Sequence, residues 1–125
     1  MVELSPPTKK FLKEINAGIT SLVLLTVMDG AEEPMYGYQI AKQVDVASEE
    51  GLTMKQSALY PVLRSLEKNE LLQSQVEPSV SGPPRRYYQI TDFGRDTLVE
   101  WKEIWQRVTN SVNAIMEGER YEDDK

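Results

Sequence analysis

The 125-residue chain contains no cysteine and no histidine. Without cysteine there is no disulfide, no thiolate metal site and no sulfur nucleophile. Without histidine the usual general base and the commonest metal ligand are missing as well. A glycine-rich phosphate loop is also lacking, which leaves scattered carboxylates such as Glu49-Glu50 and the run from Glu119 to Asp124, and these read as solvated. The chain is expected to be no enzyme and to need neither metal nor cofactor. Long apolar runs are missing too. Leu22 to Met28, interrupted by Thr26, falls far short of the roughly 18 residues of a membrane span, and Met1 to Thr8 lacks the basic and apolar zones of a signal peptide. A cytoplasmic protein that does not enter a membrane is the expectation.

What the chain has is an ordinary globular composition, 40% hydrophobic and 27% charged, at the length of one domain. Its net charge of −6 argues, taken globally, against a nucleic-acid partner. The distribution of that charge points the other way. Residues 1–50 carry four basic and eight acidic side chains, and residues 92–125 carry five and nine. Between them Lys55, Arg64, Lys68, Arg85 and Arg86 face only Glu67, Glu70 and Glu77, so this segment alone is positive. A local positive surface is what contact with phosphate needs, and acid elsewhere limits indiscriminate binding.

Apolar residues at Leu12, Ile15, Ile19, Leu22, Leu25 and Val27 or Met28 predict a first helix from about Thr8 to Met28, mostly buried and stopped by Asp29-Gly30. Lys9, Lys10 and Lys13 at its start read as a solvated terminus. Glu32-Glu33-Pro34 makes a loop. A second helix follows with Ile40, Ala41 and Val44 inward and Gln39, Lys42 and Gln43 outward. Gly51 closes that region, Leu52-Thr53-Met54 reads as a stub strand, and Thr53 with Gln56 fits a capping box for a third helix between residues 55 and 69. Pro61 argues for a start near Ser57, which would keep the proline close to the first turn. Leu59, Val62, Leu63 and Leu66 fall on one side of this helix, and Gln56, Ser57, Tyr60, Arg64 and Lys68 on the other.

Leu71 to Glu77 and Arg85 to Ile90 read as two strands around the loop Pro78 to Pro84, with Tyr88 and Ile90 inward. Thr91 then caps a last helix that has Asp92 in its first turn. Leu98, Trp101, Trp105, Val108, Val112 and Ile115 recur along it in steps of three and four, over about two and a half heptads, too few for a free-standing coiled coil. This seam needs another surface. Gly118 ends it, and residues 119–125 form an acidic tail.

Three motifs in this order and spacing resemble the PadR family of winged helix-turn-helix regulators, over roughly residues 16–105. They are Tyr36-Gly37-Tyr38-Gln39-Ile40, then Leu59-Tyr60-Pro61-Val62-Leu63-Arg64-Ser65-Leu66-Glu67, then Pro84-Arg85-Arg86-Tyr87-Tyr88-Gln89-Ile90-Thr91-Asp92-Phe93-Gly94. The resemblance implies a mainly α fold with a small β-hairpin wing. Residues 1–91 would form the DNA-binding domain with its N-terminal helix, 92–118 a C-terminal dimerisation helix and 119–125 a tail. It also implies a homodimer, and a repressor on a palindromic operator in double-stranded DNA. In one respect the chain departs from the family pattern. Glu70 stands where glycine usually precedes the first wing strand, and Asn69 is expected to take the left-handed conformation in its place.

The candidate DNA contacts are Lys55, Gln56, Ser57, Tyr60 and Arg64 on the third helix, Tyr38, Gln39 and Lys42 on the second, and Arg85 and Arg86 on the wing. Amide and hydroxyl groups can pair with base edges in the major groove, and the cations suit phosphate, a guanine or the adjacent minor groove. The candidate dimer interface joins Leu98, Trp101, Trp105, Val108, Val112 and Ile115 to the partner's first helix around Ile15, Ile19 and Leu22. Trp101 and Trp105, one turn apart, fill the dimer core or clasp a planar aromatic effector, as some multidrug-responsive family members do. A winged-helix module that binds protein and never DNA is the competing reading, and the acidic balance is its best argument.

Overall fold

The computed structural model describes residues 3–48 and 55–122; the expected stub strand at Leu52-Thr53-Met54, the stop at Gly51 and the capping role of Thr53 lie outside them. Helix α1 runs Pro6–Asp29, β1 Met35–Tyr36, α2 Gly37–Ala47, α3 Gln56–Lys68, β2 Leu72–Glu77, β3 Arg85–Ile90 and α4 Asp92–Met116. The described residues thus hold four helices and one antiparallel sheet of order β1-β3-β2. The fold is mainly helical with a β wing, as expected, and the third strand is an addition. Met35 and Tyr36, the latter expected to open the second helix, pair with Tyr88 and Tyr87.

Prolines at the first two positions of α1 start it at Pro6, where their missing N–H groups cost nothing. Only its second half is buried. Leu24, Leu25 and Met28 enter the core, while Phe11, Leu12 and Ile15 stay exposed, so the expectation of a mostly buried first helix is corrected. By length and composition alone α1 is apolar enough to cross a membrane, with a mean hydropathy of 1.4, but its apolar residues are shared between the core and an open face.

Ile40 and Val44 of α2 meet Leu59, Leu63 and Leu66 of α3, and Leu71, Leu72, Tyr88 and Ile90 close the core from the sheet side. Burying each of the α3 leucines contributes about 1.5–3 kcal/mol. That is enough to tolerate Pro61, which sits inside α3 beyond its first turn and cannot donate to the Ser57 carbonyl. Helix α3 begins at Gln56, with Lys55 as its cap residue.

The end of α3 differs from expectation. Glu70, at φ 65°, takes the left-handed conformation, and Asn69 does not. Glu70 N–H donates to the Glu67 carbonyl at 2.9 Å and Leu71 N–H to the Leu66 carbonyl at 2.9 Å, the paired closure that normally recruits glycine. Thermal unfolding of Glu70→Gly should therefore show a gain of about 1 kcal/mol, because glycine removes the left-handed penalty. An unchanged or lower midpoint would mean that the Glu70 side chain compensates.

Candidate nucleic-acid interface

Burying Leu59, Leu63 and Leu66 forces the opposite side of α3 outward, and Gln56, Ser57 and Arg64 are exposed there. Lys55 is exposed at the helix start, and Tyr38, Gln39 and Lys42 are exposed on α2. Tyr60 behaves differently. Its ring lies over Gly37, so close that a Cβ at Gly37 would fall 2.6–2.9 Å from the ring and hydroxyl atoms. Its hydroxyl accepts a 2.6 Å hydrogen bond from Gln56 Nε2. Half-buried Tyr60 is thus a spacer between α2 and α3 that also orients the Gln56 amide. Gln39 has a second duty as well, since its Oε1 accepts from the Tyr36 N–H at 3.1 Å and caps α2.

The wing comes back alongside these helix starts. Arg85 stacks its guanidinium 4.4 Å from the Tyr36 ring centroid, leaving its N–H edge open. Tyr36 also meets Tyr87 edge-on at 5.4 Å and Tyr38 face-on at 6.4 Å. Arg86 Nη1 donates to Ser74 Oγ at 2.9 Å, and Ser74 donates to the Glu67 carboxylate. Burial, with Glu67 adding to it, holds the nearby Tyr88 hydroxyl above its ordinary pKa. Between wing and helix starts lies a cleft of about 340 Å³, edged by Gly37, Gln56, Tyr60, Arg85 and Arg86. Of the ten candidate DNA contacts, Gln56, Tyr60, Arg85 and Arg86 line this cleft, while Tyr38, Gln39 and Lys42 line a separate hollow beside Glu32 and Glu33. The aromatic cluster at Tyr36 and Tyr87 and the Glu67–Ser74–Arg86 chain were not foreseen. The signal available was the strand alternation that puts Arg85 and Arg86 on opposite faces.

A family model described as the transcriptional regulator PadR-like family matches residues 24–100. The chain belongs to the PadR family. A PadR-family transcriptional regulator from Eggerthella lenta DSM 2243 has a similar structure, at 28% identity and a TM-score of 0.77, covering 90% of this chain and 94% of its own. A PadR-like regulator from Bacillus cereus matches at 28% identity and a TM-score of 0.67, covering 85% and 99%. An uncharacterized protein of Lysinibacillus sphaericus is 29% identical over 104 residues, 83% of this chain and 93% of that protein. PadR-family regulators are non-enzymatic DNA-binding proteins, so membership agrees with the expectation of a chain without catalytic chemistry. The acidic net charge does not stand against this membership, because the segment from residue 51 to 91 is itself positive.

The second candidate region is α4. Leu98, assigned to the dimer seam from its spacing, is 2% exposed and lies in the subunit's own core. Trp101 packs half-buried against that core. From Trp105 onward the seam opens to solvent: Val108 and Val112 are exposed, and Ile115 reaches 70%. Two apolar hollows lie beside α4, one of about 400 Å³ against α1 and the end of α2 and one of about 250 Å³ against α1, with Leu22 and Trp105 in both and Trp101 in the smaller.

Proposed function

We propose that this PadR-family chain is a cytoplasmic homodimeric repressor. Its α3 enters the major groove of an operator with two-fold symmetry, while α2 and the wing hold the flanking backbone. The observation that carries this reading is the exposed row Gln56, Ser57 and Arg64 set opposite three buried leucines, with Arg85 and Arg86 of the wing across a cleft from Gln56. Arg64 is the strongest candidate for a guanine or phosphate contact, and Gln56 for a base edge. Alanine at Arg64 should weaken binding to a selected operator by about 1–3 kcal/mol. Tyr60→Ala should do the same through lost orientation of Gln56. Binding that survives the Arg64 and Tyr60 double replacement, with the fold intact by circular dichroism, would remove α3 from the interface.

The solvent-exposed halves of α1 and α4 support the dimer. Phe11, Leu12 and Ile15 on one, and Trp105, Val108, Val112 and Ile115 on the other, form apolar stripes that water does not stabilise. A two-fold axis lets each subunit's α4 cover its partner's α1 in one self-complementary contact.

The hollows beside Trp101 and Trp105 favour a second element, release by a planar aromatic effector. Titration with a flat cationic dye should quench tryptophan fluorescence and weaken operator binding, and Trp105→Ala should abolish both effects. Quenching without a change in operator affinity would separate binding from regulation.

A further inference from the structure

Apolar anchoring of the wing ends early. Leu72, Tyr88 and Ile90 are buried, but Gln75, Val76, Glu77, Arg85 and Arg86 are all exposed, so the outer half of the hairpin has no hydrophobic hold on the body. Beyond Tyr87, the last residue of β3 that β1 pairs with, the hairpin is a two-stranded ribbon, and such a ribbon is marginally stable in water. Its two arginines supply what the core does not. Register places Ser74 opposite the buried Tyr88, on the sheet face turned towards α3, and there the Arg86–Ser74–Glu67 chain ties β3 to β2 and to the recognition helix. The other face carries Gln75, Tyr87 and Tyr36, and there Arg85 rests on the Tyr36 ring at the start of α2.

The two fastenings differ in charge. One N–H of Arg86 is committed to Ser74, whose hydroxyl donates on to Glu67, so this guanidinium is tied back towards a carboxylate of the protein's own body. Arg85 faces a neutral ring, and its N–H groups remain available.

We propose that Ser74 is a positioning residue of the DNA interface. It couples the wing to the recognition helix by holding Arg86 against Glu67, so that Arg86 sets the wing angle and Arg85 supplies the wing's phosphate contact. This rests on the DNA-binding reading above and adds a division of labour between two adjacent arginines. The hydroxyl is essential because it accepts from Arg86 and donates to Glu67 at once. Alanine can do neither, and threonine can do both.

The test combines two readouts on Ser74→Ala, Ser74→Thr, Arg85→Ala and Arg86→Ala. One is amide hydrogen exchange of the DNA-free protein. The other is salt-dependent binding to a duplex that the wild-type protein enriches from a random pool. Ser74→Ala should speed exchange of the outer hairpin amides about tenfold, leave the core amides of α1 and α3 unchanged, and weaken binding about tenfold with the same salt slope. Ser74→Thr should restore both. Arg85→Ala should lower the salt slope by about one, and Arg86→Ala by much less. Unaccelerated hairpin exchange in Ser74→Ala, failure of threonine to rescue, or equal slope losses for the two arginines would overturn the proposal. A wild-type protein that enriches no duplex would overturn the DNA-binding reading and this role with it, even where exchange shows the fastening.

Discussion

Gly94→Ala is expected to destabilise the fold by about 3–4 kcal/mol, although the residue lies in a helix where alanine is ordinarily preferred by about 1 kcal/mol. A Cβ there would be driven into the Leu71 carbonyl oxygen and would stand 2.8 Å from Ile90 Cγ1. The carbonyl cannot retreat, because it accepts the Thr91 N–H at 3.1 Å. Thr91 is itself committed: its hydroxyl donates to the Glu70 carbonyl at 2.7 Å and accepts the Gly94 N–H at 2.9 Å. One threonine thus closes the end of α3 and the start of α4 together, and a methyl group at Gly94 wedges them apart. Urea unfolding checks this, with a large fall in midpoint expected. A midpoint within about 0.5 kcal/mol of wild type would show that the junction relaxes and that α4 is less firmly seated than its hydrogen bonds imply.

The double variant Val108→Glu plus Val112→Glu should dissociate the dimer and lower operator affinity by about a hundredfold or more, since two linked half-site contacts become independent. These positions lie one turn apart on the part of α4 outside the subunit's own core, about half exposed, so carboxylates there cost the monomer far less than at Leu98. In a dimer they would be buried without partners. Sedimentation at low micromolar concentration should show the wild type as a dimer and the variant as a folded monomer. A variant that remains dimeric would move the interface away from the seam.

Leu98, Val108 and Val112 belong to one series of alternating three- and four-residue steps, yet the first is buried at home and the other two are exposed. Periodicity reports which side of a helix is apolar, not which molecule covers it, so the seam was legible and its division was not. For the same reason α1 looked mostly buried when only Leu24, Leu25 and Met28 are fully so. Helix α3 was legible because its leucines and its polar row separate cleanly on one wheel. So were Thr91 as a cap, with its side chain accepting from Gly94, and Arg85–Ile90 as a strand. Two residues of β1 carry no periodic signal, and Tyr36 pairs with Tyr87 across 51 positions of sequence. Local chemistry was misjudged at Glu70, where the Leu71–Leu66 closure fixes which residue turns left-handed regardless of its preference. The outward placing of Gln56, Ser57 and Arg64 on α3 was legible, whereas Tyr60, read on the same face, is half-buried. The mutual constraints of the candidate contacts were not legible, because the seat of Tyr60 on Gly37 and the bonds of Ser74 to Glu67 and Arg86 depend on how three elements meet.

The most direct test of the central claim is selection of the wild-type protein against a pool of random duplex DNA, with sequencing of what is retained. A two-fold dimer that places one α3 per subunit in the major groove predicts an inverted repeat, with half-site centres about 10 base pairs, or about 34 Å, apart or a multiple of that. Arg64→Ala should blur the preference at one position in each half-site. Retention of no sequence above background at low salt, or of a single site without two-fold symmetry, would contradict the account.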